Sequence, residues 1–284
     1  MKGLLVVNEF VKWDKFDKIY DMLTAAFRAK NCSLIKLSNT DLMNEIRSPF
    51  PKADFCLFWN KDINLAIRME RSGMRLFNSA HTIEYCNDKC LTAAAATGLP
   101  RPKTFIAPHT FLPYSDLSFL DKIEAGLGYP LILKQCFGSF GNQVWLIKNR
   151  QELEARVMKI TPGGMIFEEY ISESYGADLR LHVVGGKCVA SVKRIAKEGD
   201  FRSNVTNGGK MYPHEATEQE KELAIAAAAA VKADFAGIDL LISEKGPVLC
   251  EVNSNAHFKN LYDATGINVA DHIADYVIAE MKKT

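Results

Sequence analysis

The chain has no CxxC pair, no GxGxxG after its first strand-like segment and no GxxxxGK[ST]. These gaps argue in turn against a dithiol or zinc-finger centre, a Rossmann-type dinucleotide site and P-loop chemistry. Long apolar runs are missing too. The longest, around Leu223 to Val231, is mostly alanine and far short of the roughly 18 residues of a membrane span. Met1 to Val7 is too short for a signal h-region and runs directly into Asn8-Glu9, so a cytoplasmic protein with no membrane partner is expected. Charge of one sign is equally scarce: 35 Lys and Arg offset 34 Asp and Glu for a formal net charge of +1, which offers nothing for nucleic acid. The six histidines are scattered, with no Ser-His-Asp or Cys-His arrangement. The seven cysteines are an odd number, several inside apolar strand patterns, and read as buried free thiols rather than disulfides. Cys86 and Cys90 sit four apart on one expected helix, without further ligands to make a metal site.

What is present is an ordinary globular composition, 48% apolar and 24% charged over 284 residues, enough for two or three compact units. Leu4 to Val7, Leu34 to Leu37, Phe55 to Trp59 and Met74 to Phe77 read as strands. They alternate with helices at Lys15 to Lys30 and Ile63 to Ser72, which predicts a small parallel α/β unit. A helix at His81 to Thr97, stopped by Gly98 and Pro100, leads to strands at Thr104 to Ala107, Tyr129 to Cys136, Gln143 to Ile147 and Met165 to Ile171, with helices at Ser115 to Ala125 and Gln151 to Lys159. Asp178 to Lys193 reads as a hairpin turning at Gly185-Gly186. Thr217-x-x-Glu220 opens an alanine-rich helix as a capping box, and a last helix runs from Val269 to Lys282.

Three stretches point to chemistry. Lys134 ends a strand and is followed by Phe137-Gly138-Ser139-Phe140-Gly141-Asn142, a glycine loop where backbone N–H groups can approach phosphates. Lys197 to Asn204, with Gly208-Gly209, is polar and aperiodic between regular elements, the place for a site loop. Gly237 to Asn253 reads as two strands joined by a three-residue turn, Glu244-Lys245-Gly246. That register sets Asp239 across from Glu251 with Asn253 on the same face, and Ile238, Leu240, Ile242, Val248, Cys250 and Val252 on the other. Facing carboxylates repel, so a cation is expected between them, and the oxygen donors suggest Mg²⁺ or Mn²⁺.

In order along the chain, Asp88-Lys89, Leu133-Lys134, Glu168-Glu169-Tyr170-Ile171, Gly176-Ala177-Asp178-Leu179-Arg180, Lys197 to Asn204, Gly237-Ile238-Asp239 and Glu251-Val252-Asn253 resemble the ATP-grasp ligases, and within them the RimK-like amino-acid (alpha-L-glutamate) ligases. The resemblance is strong from about residue 80 onward. It implies an ATP-grasp fold of α+β lobes behind the small parallel α/β domain, divided as 1–80, 81–168 and 169–284. Lys89 and Lys134 would hold phosphate oxygens, and the loop containing Gly138, Ser139 and Gly141 would close over them. Glu169, Tyr170 and Ile171 would meet adenine and Asp178 the ribose. Arg202, Ser203 and Asn204 would face the transferring phosphoryl group, Arg202 and Lys134 acting catalytically, while an ion pair with Asp200 is the bland alternative for Arg202. Asp239, Glu251 and Asn253 would bind one or two Mg²⁺ ions. The implied reaction is ATP-dependent: a carboxylate, a peptide or protein C-terminus being one candidate, is activated as an acyl-phosphate and joined to an amino acid, with glutamate expected. A homodimer or homotetramer is implied. A small-molecule kinase and a non-catalytic nucleotide-binding module on the same fold are the rival readings. Asn255 to Asn260 departs from the Pro-Gly usual in the family after the metal-binding asparagine, which leaves the acceptor open. Of the histidines, only His257 is expected near the site, and His182 is expected to be a strand residue on the polar side.

Overall fold

A computed structural model describes residues 1–138, 141–160, 162–203 and 208–283. The apolar run Leu4 to Val7 becomes β1 (Lys2–Val7), the central strand of a parallel sheet with β2 (Ser33–Ser38), β3 (Phe55–Phe58) and β4 (Leu76–Phe77) in the order β2-β1-β3-β4. Crossovers pass through α1 (Asp14–Ala29) and α2 (Ile63–Arg71), and α1 turns Ile19, Leu23 and Phe27 inward at helical spacing. The predicted single helix over 81–97 is instead two, α3 (Ala80–Asn87) and α4 (Lys89–Ala95). Asp88 breaks it: its Oδ1 accepts from the backbone N–H groups of Cys90 and Leu91 at 2.7 and 3.3 Å, and its own backbone is extended. A short acidic side chain that bonds the following N–H groups starts a helix rather than continuing one.

A second, antiparallel sheet has the order β5-β8-β6-β7, from β5 (Thr104–Ile106), β6 (Leu131–Gln135), β7 (Val144–Ile147) and β8 (Met165–Glu169), backed by α5 (Phe119–Leu127) and α6 (Arg150–Ile160). α5 begins later than its apolar pattern suggests, because Asp116 Oδ1 takes the Ser118 N–H at 3.0 Å in a local turn. The third sheet, order β11-β10-β9-β12-β13, comprises β9 (Ala177–Val184), β10 (Lys187–Ile195), β11 (Lys210–Pro213), β12 (Phe235–Ser243) and β13 (Gly246–Asn253). Both arms of the Thr217–Glu220 capping box form at the start of α7 (Glu218–Ala230), which covers one face of this sheet. β11 and α8 (Lys259–Thr265) carry too little pattern to be read from sequence, whereas α9 (Val269–Met281) falls where its periodicity places it. One core cluster joins Leu5, Phe27 and Phe77 of the first sheet's layer to Val192, Phe258, Ile273 and Val277. The parallel unit is thereby packed onto the C-terminal part of the chain.

Two expectations about sulfur fail. Cys90 and Cys136 are joined in a disulfide with Cα atoms 5.7 Å apart, while the other five cysteines are free thiols. The Lys89 N–H donates to the Cys136 carbonyl at 3.0 Å, which sets the start of α4 against the end of β6 and brings the two sulfurs together. Cys86 lies on α3 and Cys90 on α4, so they do not share a helix face.

Candidate active site

The second and third sheets face each other across a cavity of about 480 Å³, which the amino-terminal unit closes at one end. Lys134, near the end of β6, enters it almost wholly buried, with its Nζ 2.6 Å from Glu168 Oε2 and 3.7 Å from Cys250 Sγ. Burial opposes its charge, but Cys250, Glu168 and Glu251 outweigh that and hold Lys134 above its ordinary range. Since burial pushes the Cys250 thiol up to about 12, it is neutral at physiological pH and the carboxylates do the holding. Glu168 is itself 2% exposed and also bonds Arg101 at 3.1 Å. Lys89, the first residue of α4, places its Nζ 3.2 Å from Glu251 Oε1 and 3.3 Å from the Gly138 carbonyl oxygen. The two lysines thus stand beside the glycine loop, in which Gly141 adopts φ 71°, a conformation that favours glycine.

Asp239 does lie opposite Glu251, but for a different reason from the one the sequence suggests. The hairpin loop is two residues, because Ser243 pairs with Gly246, and from there to Leu240–Leu249 the register would set Asp239 against Cys250. A β-bulge between Leu249 and Glu251 absorbs Cys250 and restores the Asp239–Glu251 pair. It also corrects the faces: Leu249 joins Ile238, Leu240 and Val252 in the core, while Cys250 lines the cavity. The expected cation between the carboxylates is supplied in part by the protein. Asp239 is gripped by Arg180 through Nε and Nη2 at 2.6 and 2.7 Å and touched by Arg194 at 2.9 Å, and Glu251 has Lys89. Burial would raise Asp239, but Arg180 and Arg194 bring it down to about 2. Burial likewise opposes the ionised form of Glu251, and Lys89 and Lys134 overcome it, leaving its pKa lowered. Repulsion between the two carboxylates therefore does not by itself demand an added ion. At Gly237, two residues upstream, a Cβ would meet Ala256 Cβ at 2.3 Å, so glycine lets the loop after β13 close on the sheet.

The remaining predicted residues fall around the same cavity. Gly138, Gly141, Glu169, Tyr170, Ile171, Asp178, Arg202, Ser203 and Asn253 all line it, whereas Ser139 and Asn204 lie outside the described residues. Asp178, expected at the ribose, is buried in the wall of this cavity. Both its oxygens are engaged by Arg194, Oδ1 at 2.6 Å, so it steadies that guanidinium, and burial lifts its pKa against the pull of Arg194. Arg202 pairs with Asp200 at 3.0 Å and donates through Nη1 to the Gly141 carbonyl at 2.9 Å, which ties the 197–204 loop to the glycine loop. Asn253 Nδ2 lies 3.4 Å from Asp239 Oδ2. Arg180, Arg194, Glu168 and Cys250 were missed as site residues. Arg180 and Glu168 stand inside the motifs, but the partners of all four come from other parts of the chain.

His257 borders the cavity, with Nε2 3.0 Å from the Lys15 carbonyl oxygen, and burial depresses it to about 4. His182 is not on a polar face: it is 3% exposed beneath the site, held at about 3 mainly by burial and secondarily by Arg180.

A family model for the RimK-like ATP-grasp domain matches residues 87–277. The chain belongs to the RimK-like ATP-grasp family. It is an ATP-dependent carboxylate–amine ligase. A probable alpha-L-glutamate ligase of Legionella pneumophila is 35% identical over 218 residues, 75% of this chain and 70% of that protein. Human N-acetylaspartylglutamate synthase A is 34% identical over 239 residues, 82% of this chain and 59% of its own length. Among solved structures, a RimK-domain ATP-grasp protein of Sphaerobacter thermophilus superposes with TM-score 0.75 at 18% identity, covering 97% of this chain and 99% of that one. A D-alanine–D-alanine ligase of Bacillus anthracis, solved with ATP, gives 0.74 at 18% identity, covering 100% and 98%. The last two show the fold. The side chains of Asp239, Glu251 and Asn253 fit a hard divalent ion, since each can offer an oxygen and both carboxylates are held ionised. No helix among the described residues is long and apolar enough to cross a membrane.

Proposed function

We propose that this ligase activates a carboxylate as an acyl-phosphate and joins it to glutamate or a closely similar amino acid, with release of ADP and phosphate. The reading is carried by the convergence of Lys89, Lys134 and Arg202 with Asp239 and Glu251 on one cavity. A carboxylate attacking a phosphoryl group brings two anions together. Preorganised cations in a buried site lower that cost far more than they could in water.

In this reading Lys89 and Lys134 hold phosphate oxygens, and Arg202 neutralises the transferring group from its loop. Gly138, Ser139 and Gly141 cover the phosphates, and Glu169, Tyr170 and Ile171 border the adenine. Asp239, Glu251 and Asn253 would hold one or two Mg²⁺ ions, which supply further charge neutralisation when bound. Arg180 and Arg194 keep Asp239 ionised and aimed, and Asp178 braces Arg194. The amine of the incoming amino acid then displaces phosphate and an amide remains. No nucleophilic side chain is needed. A cytoplasmic setting and a homodimeric or homotetrameric assembly belong to the same proposal.

The test incubates the protein with Mg²⁺, ATP, glutamate and a panel of carboxylates, measuring ADP, free phosphate and product mass. Ligation requires ADP and phosphate in equal amounts and a product heavier by one amide-linked glutamate. Phosphate retained on the product would favour a kinase, and nucleotide binding without turnover would favour a sensor.

A further inference from the structure

The disulfide between Cys90 and Cys136 stands among the residues assigned above to phosphate, and the inference drawn from it rests on that ligase reading. Cys90 comes directly after Lys89. Cys136 lies two residues past Lys134 and two before Gly138, at the root of the glycine loop. The bond therefore ties α4 to the end of β6 across a sequence separation of 46, next to both lysines. Weaker contacts run alongside it: the Lys89 N–H donates to the Cys136 carbonyl at 3.0 Å, the Cys136 N–H to the Gly164 carbonyl at 2.9 Å, and Lys89 Nζ lies 3.3 Å from the Gly138 carbonyl oxygen. These would keep the segments adjacent without the sulfur bond. Only the bond limits how far the root of the loop can move from Lys89.

The neighbouring backbone is shaped for this pair. A Cβ at Gly164 would lie 2.9 Å from Cys136 Sγ and 3.9 Å from Cys90 Sγ, so the turn before β8 packs onto the sulfurs because that residue is glycine. Cys136 is 1% exposed, whereas Cys90 is only partly buried, which makes Cys90 the side from which a thiol approaches. A partly exposed disulfide exchanges more readily than a buried one. In a reducing compartment, such as the cytoplasmic setting proposed above, a disulfide is characteristically transient or redox-sensing.

We propose that Cys90 and Cys136 form a thiol–disulfide exchange site whose reductant is a dithiol, and that the state of the pair sets how firmly nucleotide is held. One thiolate of the reductant attacks Cys90 Sγ and forms a mixed disulfide as the Cys90–Cys136 bond breaks; Cys136 leaves as a thiolate and takes up a proton. The reductant's second thiolate then attacks its own partner sulfur in the mixed disulfide and releases Cys90, which is protonated in turn. Two electrons and two protons pass to the protein, and the dithiol departs as its own disulfide. In the oxidised state the root of the loop is held beside Lys89, ready for phosphate. In the reduced state that arrangement has to be ordered again on each binding event, which weakens association.

Thiol titration of the whole chain in denaturant and calorimetry with Mg²⁺ and a non-hydrolysable ATP analogue test the assignment together. Protein purified without reductant should show five thiols per chain, and seven once dithiothreitol has acted on the folded protein and been removed. Reduction should weaken binding of the analogue at least about threefold, and reoxidation in air should restore it. Cys90→Ser/Cys136→Ser should bind like the reduced protein and ignore dithiothreitol, although it keeps Cys250 in the cavity. A disulfide that only braces the fold would, on reduction, lower the thermal midpoint and leave the affinity unchanged. That outcome, seven thiols before reduction, five after it, or a dithiothreitol response that survives in the double variant would overturn the proposal. Equal affinity in the two states would leave the ligase reading standing, whereas no binding of the analogue in either state would overturn both.

Discussion

Glu168 shows what a buried charge does here. Together with Arg101 and Lys134 it forms a three-membered ionic group at the back of the cavity. Removing one member of such a group leaves its partners uncompensated, which costs about 3–5 kcal/mol. Glu168→Ala should therefore destabilise the protein by about that much in urea titration, with Glu168→Gln less damaging; a loss under about 1 kcal/mol would show that Lys134 has other compensation. His182 gives the pH dependence. Its pKa in the folded protein, about 3, lies below the roughly 6.5 of an unfolded histidine, so the neutral ring is favoured by folding. The stabilisation is complete above pH 6.5 and is lost as pH falls toward 3, by about 2 kcal/mol between pH 6.5 and 5. His182→Asn should flatten the stability profile in that window. Glu168 was legible as part of Glu168-Glu169, but strand alternation identifies a face and not the neighbours across a sheet. Lys134 reaches it from the next strand, and Arg101 from the segment before β5.

At the scale of elements, the Cys250 bulge is the device that puts Glu251 in the site. Inserting one residue after Cys250, with the bulge kept, would pair Glu251 with Ile238 and turn it toward the core. The insertion is expected to abolish Mg²⁺-dependent ATP turnover, while Cys250→Ala, which keeps the bulge, should retain it within about tenfold. Equal loss in both would assign the effect to the thiol. The sequence reading reached the right pair through a three-residue loop with no bulge, so two errors of one residue cancelled. Bulges depend on cross-strand packing and have no signature in a single strand. Where the signal was local, as in the Thr217–Glu220 capping box or the Gly185-Gly186 turn, the element formed where it was read.

Across the whole molecule, the amino-terminal sheet is not an appendage. Its layer shares a core with α8 and α9, and Asn78, fully buried, bonds the backbones of Asp234, Phe235 and Ser254. A fragment of residues 81–284 would expose Phe258, Ile273 and Val277. It should be aggregation-prone and lack a cooperative thermal transition, although it carries the whole region matched by the family model. A soluble, cooperatively unfolding fragment would contradict that dependence. The interdependence was invisible in the sequence, because contacts between the two ends of a chain leave no periodic trace in either. The lysines, glycines and carboxylates singled out by their types, by contrast, do come together around one cavity, because residue type is written in the sequence even where the neighbours are not.

The central claim is that the carboxylate of the acceptor attacks phosphorus. With an acceptor that turns over, carried as the ¹⁸O-labelled carboxylate, mass spectrometry of the released phosphate should find one labelled oxygen transferred for each amide formed. Label retained wholly in the product, with unlabelled phosphate, would contradict the acyl-phosphate route.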